Sequence, residues 1–158
     1  MCGRFAFYSP SEATAALFGA LTHGDQEIWP AVYIQWEMGL LAELGFGLDL
    51  QACAATGVTS ELVYVSPRTG RAVSREAGAP YADRMLALPR FLRPDGRGHG
   101  ATAEDFTAGL QLTGHFLARH AFDPLDRPLP PARTRLESLV SRTLDTAEDN
   151  DEKDTPVS

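Results

Sequence analysis

The sequence is poor in cysteine, has almost no lysine and contains no long apolar run. Two cysteines, Cys2 and Cys53, are too few for the disulfide framework of a small secreted domain. No charged segment followed by an apolar one opens the chain, so we expect no signal peptide and a cytoplasmic protein. No apolar stretch approaches the roughly 18 residues of a membrane-spanning helix, so we expect no membrane insertion. The 158 residues suffice for one domain with its own core.

Positive charge is scarce over the whole chain but concentrated in one stretch. The formal net charge is −7, which by itself argues against a nucleic-acid partner. The acidic segment 145–158 contributes −5 of this charge, whereas residues 68–97 have a local balance of +4. All but one of the basic residues are arginine. The stretch is either a solvated surface or an anion-binding face. Its candidate binding residues are Arg68, Arg71, Arg75 and Arg84.

Hydrophobic periodicity predicts a mainly helical fold around one short hairpin. Capping boxes and prolines at first helical positions indicate where the helices begin. The expected ranges are about 10–21, from 30 to 45 or 47, from 102 to about 122, and about 131–144. The segments "ELVYVS" and "RAVS" flank the turn "PRTG" and predict a two-stranded hairpin. The segment "PYADRMLALPRFL" is ambiguous because its two prolines limit any helix to a couple of turns.

The apolar faces of the helices predict which side chains enter the core. On the second helix the expected stripe consists of Val32, Tyr33, Trp36, Leu40, Leu41 and Leu44. This helix should pack against the one that follows Thr102. On the last helix the expected inward residues are Leu136, Leu139 and Val140, and the expected outward ones are Arg133, Arg135 and Arg142. The carboxylates of Glu37 and Glu43 are expected to be solvated.

No catalytic or metal-binding motif stands out. His115 and His120 are five residues apart, off the i, i+4 spacing that directs two imidazoles to one metal, and have no H-E-x-x-H context. The serines lack a G-x-S-x-G context. Trp29 and Trp36 could stack on bases, but their helical spacing beside leucines favours the core. We therefore expect no enzyme, no cofactor and no metal.

Five segments of the chain together resemble the C-terminal region of the RecO family of bacterial recombination mediators. They are "WPAVYIQWEMGLLAELGFGLDLQACAATG", "LVYVSPRTGRAVSREAG", "ALPRFL", "LTGHFLARH" and "LPPARTRLESLV", in the family's order and spacing. The resemblance covers about 28–144. It implies a helical domain with a zinc-finger-like hairpin insertion, at about 53–78 here, and a non-enzymatic role in DNA recombination and repair. It also implies RecR, single-strand DNA-binding protein and single-stranded DNA as partners.

The hairpin insertion departs from the zinc-bearing members of that family. Where they have two cysteine pairs, this sequence has Cys53, Thr56, Ser74 and Ala77. A structural zinc site needs four thiolate or imidazole ligands, which one thiol and two hydroxyls cannot replace. We expect a metal-free knuckle, held by backbone hydrogen bonds, by Gly57 and Gly70 and by packing of Leu62, Tyr64 and Val73. Cys53 is expected to be a small buried apolar side chain.

The start of the chain resembles a different family. The segment "MCGRFAFYSPSEATAALFG" is similar to the start of SRAP proteins, the SOS-response-associated proteins that shield abasic sites. This resemblance implies Cys2, exposed once Met1 is removed, as a nucleophile toward the abasic aldehyde, and Arg4 as a phosphate contact. The asparagine, glutamate and histidine that the family also uses do not follow in this sequence. Residues 1–27 are therefore interpreted as an SRAP-like remnant.

Three interpretations of function are open. Fewer than 30 residues precede the RecO-like region, so the OB-fold that binds single-stranded DNA in that family is expected to be missing. The first interpretation is a truncated RecO-like repair module that binds partner proteins and, weakly, DNA. The second is an abasic-site crosslinker that acts through Cys2. The third is a fusion product without activity. The segment 145–158 is expected to be a disordered acidic tail.

Overall fold

The computed structural model describes residues 29–96 and 101–151, with side chains as far as residue 142. Its elements are α1 (Trp29–Glu43), β1 (Leu62–Val65), β2 (Ala72–Ser74), α2 (Arg75–Gly78), β3 (Leu86–Ala87), α3 (Ala103–Leu117) and α4 (Pro131–Asp151). Short 3₁₀ turns cover Ala79–Arg84, Arg90–Leu92 and Asp123–Leu125, and a π-helical turn, Ala118–Phe122, continues α3. The fold is mainly helical, as expected. The predicted helix at 10–21 lies outside the described residues.

The last helix is longer than the sequence pattern predicted. It runs to Asp151 and so includes part of the segment expected to be disordered. The physical reason is that no proline or glycine follows Pro131 until Pro156, so no residue type in between ends a helix by itself. Residues 152–158 lie outside the described part of the chain.

The hairpin is confirmed and carries a third strand. The antiparallel sheet has the order β2-β1-β3, with Val65 paired to Ala72 on one side and to Leu86 on the other. The strand β3 lies within the segment that the prolines made ambiguous, between Pro80 and Pro89. Because β3 has only two residues, it leaves no periodicity in the sequence from which it could be predicted.

The chain between α1 and the hairpin runs along the outer edge of β2. The Asp49 amide donates to the Gly70 carbonyl at 3.0 Å, and the Ala72 amide donates to the Asp49 carbonyl at 2.9 Å. Gly57 and Gly70, which were expected to help hold the turns, both have positive φ, +75° and +67°, which glycine adopts at little cost. The knuckle is thus held on both sides by backbone hydrogen bonds.

The core consists of two clusters on either side of α3. One packs the sheet against Phe116, Leu112 and Leu41. The other packs Ile34 of α1 and Val140 of α4 against Phe106 and Leu110. The predicted packing of α1 on α3 is therefore confirmed, as is the capping box of Thr102 and Asp105 at the start of α3.

The predicted apolar face of α1 was partly wrong. Val32 and Leu41 are buried, but Leu44 is 47% exposed, and Tyr33, Trp36 and Leu40 are only half-buried. The buried side of the helix instead carries Ala31, Ile34, Glu37 and Leu41, which recur at spacings of three and four residues. The buried side therefore includes one acidic residue.

Candidate functional site

Hydrogen bonds join three of the four knuckle positions at which a set of zinc ligands is incomplete, namely Cys53, Ser74 and Ala77. The Ser74 amide donates to Cys53 Sγ at 3.3 Å. The Ser74 hydroxyl accepts from the Ala77 amide at 3.4 Å and so caps the short helix α2. At the other turn, the Cys53 amide donates to the Val58 carbonyl at 2.8 Å and the Gly57 amide to the Cys53 carbonyl at 2.8 Å. Sulfur, hydroxyl and backbone thus close both turns of the knuckle.

Cys53 is buried, as expected for a small apolar side chain, but its surroundings are polar on one side. The residue is 2% exposed and belongs to the core cluster under the sheet. Burial raises the pKa of its thiol, whereas hydrogen bonds from Thr56, from Ser74 and from the Ala55 backbone lower it, and the net pKa is about 6. Donors aimed at a sulfur are the surroundings that a zinc-bound thiolate also has.

We predict that the purified protein binds no stoichiometric zinc. Within the ranges 29–96 and 101–142, no three His, Cys, Asp or Glu side chains come together as a metal-binding group. A domain that folds only around zinc loses its structure in a chelator, whereas this one should keep its circular dichroism spectrum in EDTA. One equivalent of zinc by elemental analysis, lost in Cys53→Ala, would contradict this prediction.

All four predicted anion-binding arginines are exposed, and three of them have carboxylate partners. Arg75 Nε lies 2.9 Å from Glu61 Oε2, Arg71 Nε lies 3.5 Å from Asp49 Oδ2, and Arg84 Nε lies 4.0 Å from Asp83 Oδ2. Arg68, at the tip of the hairpin, has no acidic partner among the described residues. Exposed ion pairs of this kind contribute about 0.2–1 kcal/mol each, so a stronger anionic ligand can replace the carboxylates.

The tip of the hairpin is fixed to the end of α3. His115 Nε2 donates to the Pro67 carbonyl at 3.1 Å, and Arg119 Nη1 donates to the same oxygen at 2.9 Å. Arg119 therefore lies beside Arg68, although 51 residues separate them in the sequence. This proximity could not be predicted from the sequence, because Arg119 lies outside the arginine-rich stretch.

The two histidines serve different contacts and do not converge on one point. His115 reaches the hairpin, as described, while the ring of His120 stacks on that of Phe46 with centroids 4.2 Å apart and planes inclined by 8°. The ring of His120 is also nearly parallel to that of Phe116, with centroids 6.1 Å apart.

A buried ionic cluster joins the three long helices, contrary to the sequence prediction. Glu37 is 1% exposed and Arg133 is 6% exposed, although both were expected in solvent. Arg133 Nε donates to Glu37 Oε1 at 2.8 Å, and Arg133 Nη2 donates to Glu37 Oε2 at 2.9 Å. Thr113 of α3 donates its hydroxyl proton to Glu37 and accepts from Arg133 Nη2 at 3.1 Å. Every described buried side-chain polar atom has a partner.

Tyr33 and Arg133 both have raised pKa values beside Glu37. Burial raises the pKa of Tyr33 well above its ordinary value, and the charge and hydrogen bond of Glu37 raise it further, so the phenol stays protonated. Burial lowers the pKa of Arg133, but the hydrogen bond and charge of Glu37 outweigh this, and the net shift is upward. Arg133 also donates to the Leu110 carbonyl at 2.7 Å and to Glu137 at 3.2 Å.

Spacing within each helix was the signal that sequence reasoning missed. Glu37 is three residues after Ile34 and four before Leu41, and both are buried, so it shares their face. Arg133 shares a face in the same way with Val140, seven residues later. Leu139, expected inside, is 54% exposed because it lies on a different side of α4. Two opposite charges on two apolar faces predict a buried pair.

Three long helices around a small three-stranded antiparallel sheet define a mainly helical domain with a hairpin insertion. The chain belongs to the family described as recombination protein O C terminal, whose model matches residues 12–128. The chain is 64% identical over 129 residues to the DNA repair protein RecO of Phenylobacterium zucineum, covering 82% of this chain and 51% of that protein. It is 65% identical over 108 residues to RecO of Caulobacter vibrioides, which cover 68% of this chain and 43% of that protein.

Other comparisons agree with this family. RecO of a Jannaschia species is 47% identical over 150 residues, which cover 91% of this chain and 60% of that protein. The chain spans about half the length of the curated relatives that it matches. No solved structure matches it. The SRAP-like interpretation of the start finds no support in these comparisons, and Cys2 and Arg4 lie outside the described residues. None of the described helices is both long and apolar enough to span a bilayer.

Proposed function

We propose that this chain acts in DNA recombination and repair as a non-enzymatic binding module of the cytoplasm. The observation that carries the proposal is its membership of the recombination protein O C-terminal family, together with relatives named DNA repair protein RecO. The partners that fit are RecR, single-strand DNA-binding protein and, weakly, single-stranded DNA. No cofactor is needed for such a role.

The proposed binding site is the exposed arginine set Arg68, Arg71, Arg75 and Arg84. Guanidinium groups bind the oxygens of phosphates and carboxylates through paired hydrogen bonds. What supports the site is that all four side chains are exposed and that the partners of Arg71, Arg75 and Arg84 are surface carboxylates. An anionic ligand exchanges one carboxylate contact for another, at little net cost.

An acidic protein segment is the better ligand of this site, and DNA the weaker one. Non-specific DNA binding of this electrostatic kind has a Kd on the order of 1 to 100 µM and weakens with salt. The segment 145–158, with its charge of −5, competes for the same arginines. The acidic C-terminal peptide of single-strand DNA-binding protein is therefore the ligand that we propose for the arginine set.

We predict that the double variant Arg71→Ala/Arg75→Ala binds both this peptide and single-stranded DNA several-fold more weakly at low salt. Each lost phosphate contact of single-stranded DNA should also make the salt slope shallower by about 0.7. Fluorescence anisotropy titrations measure both quantities. The matched control is Arg127→Ala/Arg135→Ala, which removes two exposed arginines outside the knuckle. The chain ending at Leu144, which lacks the acidic segment, should bind more tightly than the full chain.

Equal binding by the Arg71/Arg75 variant and the wild type at low salt would contradict the assignment. The arginine set would then be only a solvated surface. The same conclusion follows if the control double variant loses as much affinity as the knuckle variant, because the effect would then report net charge alone.

A further inference from the structure

The exposed ring of Phe46 is the last of three stacked aromatic rings. Phe116 is buried, His120 lies nearly parallel to it, and Phe46 lies on His120 with planes inclined by 8°. Phe46 is nevertheless 41% exposed. Because one face of Phe46 rests on His120, a further ring that stacks on Phe46 has to use the opposite face.

The backbone that carries Phe46 is fixed by the way in which α1 ends. The Phe46 amide donates to the Leu41 carbonyl at 2.8 Å and the Gly45 amide to the Ala42 carbonyl at 3.0 Å. Gly45 has a φ of +88°. These two bonds and the left-handed glycine are a Schellman motif, with Phe46 just after the glycine. An apolar residue at this position usually packs back on its own helix, whereas here the ring lies on His120.

Two cations lie at the tip of the hairpin, next to the helical turn that carries His120. Arg119 precedes His120 in the same π-helical turn, and its exposed guanidinium holds the Pro67 carbonyl. Arg68 follows Pro67 at the tip of the hairpin. Neither arginine has a carboxylate partner within residues 29–96 and 101–142. Both therefore differ from Arg71, Arg75 and Arg84, each of which is already paired.

We propose that Phe46, Arg119 and Arg68 form a base-stacking subsite for single-stranded nucleic acid. A nucleobase lies on the open face of Phe46, and the adjoining phosphates contact the two guanidinium groups. A flat, supported ring beside unpaired cations is the arrangement with which proteins hold single strands without reading sequence. This subsite rests on the proposed function, since it adds a stacking contact to the weak electrostatic binding of DNA.

The charge of the neighbouring groups favours nucleic acid over an apolar protein surface as the occupant. Leu44, which is 47% exposed, extends the apolar area only slightly at the end of α1. An apolar partner would leave the two arginines without an anion. A single strand matches both the ring and the charges.

The test compares oligothymidylate with an abasic oligomer of the same length, titrated at low salt against the full chain. The wild type should bind oligothymidylate about tenfold more tightly, since stacking on one ring supplies this difference. Phe46→Leu should bind both oligomers equally, at the abasic level, and keep the salt slope. Arg119→Ala should weaken both oligomers alike. The control Tyr81→Leu, which removes an exposed ring elsewhere, should retain the preference. Unchanged thermal melting of Phe46→Leu shows that it is folded.

Several outcomes would overturn the subsite. If the wild type binds both oligomers equally through the knuckle arginines, the subsite is wrong and the proposed function stands. If Tyr81→Leu loses the preference as Phe46→Leu does, the stacking lies elsewhere. If Phe46→Leu weakens an acidic peptide and leaves both oligomers unchanged, the ring contacts protein. If neither oligomer binds at low salt, the subsite and the DNA-binding part of the proposed function both fall.

Discussion

Arg133→Met should lower the free energy of unfolding by about 3–5 kcal/mol, because it leaves a buried carboxylate without its cation. Arg133 makes two hydrogen bonds to Glu37 and one each to Leu110, Thr113 and Glu137. Methionine fills part of the same space but donates none of these bonds. Urea unfolding followed by circular dichroism measures the loss.

The double variant Glu37→Leu/Arg133→Met separates the charge from the packing. Replacing both members of a buried pair by apolar residues is often neutral or stabilising, so the double variant should recover most of the stability that Arg133→Met loses. The matched control is Arg135→Met, two residues along the same helix but exposed, which should change stability by less than about 0.5 kcal/mol. If Arg133→Met lowers the free energy of unfolding by less than about 1 kcal/mol, the buried cluster does not stabilise the fold as proposed.

Phe116→Ala should lower the free energy of unfolding by about 3–5 kcal/mol, the usual loss for a buried phenylalanine. Its ring is 1% exposed and packs α3 against the hairpin sheet. It also supports the stacked ring of His120 and an edge contact with His115 at 5.0 Å between centroids. The variant should therefore weaken the attachment of the hairpin tip as well as the core. Thermal unfolding and proteolysis of the knuckle measure the two effects.

Phe46→Ala is the matched control for Phe116→Ala. Both rings contact His120, but Phe46 lies at the exposed end of the column. Losing one stacked aromatic pair costs about 0.5–1.5 kcal/mol, so Phe46→Ala should be clearly milder. Equal losses in the two variants would mean that the ring column, and not the core around Phe116, sets the stability of this region.

The elements that local chemistry determines could be predicted from the sequence. The capping box of Thr102 and Asp105 starts α3, and Pro131 starts α4, both as predicted. Each of these features depends on residues within one or two turns of the chain, so the pattern alone indicates it.

The ionic cluster and the support of the hairpin tip could not be read in the same way. Glu37 and Arg133 are 96 residues apart, and Pro67 and Arg119 are 52 apart. When each charged residue is considered alone, it is predicted to be exposed to solvent, because a lone buried charge is costly. Only the pairing, which depends on how α1, α3 and α4 pack, makes burial favourable.

The candidate arginines could be picked out from the sequence, but their ion pairs could not. The arginine-rich stretch supplied Arg68, Arg71, Arg75 and Arg84, all of which are exposed. Their carboxylate partners Asp49 and Glu61 come from segments that precede the stretch, so the local balance of +4 overstates the free charge of the surface. Arg119, from α3's π-helical extension, adds a cation that the stretch does not contain.

We propose that this RecO-type domain binds anions through its exposed arginines. The decisive test is the salt dependence of oligothymidylate binding. With three or four phosphate contacts, a plot of log affinity against log salt concentration should have a slope on the order of −2 to −3, at about −0.7 per contact. The slope should become shallower in Arg71→Ala/Arg75→Ala and stay unchanged in Arg127→Ala/Arg135→Ala. A flat plot, or no binding at the lowest salt concentration, would contradict the account.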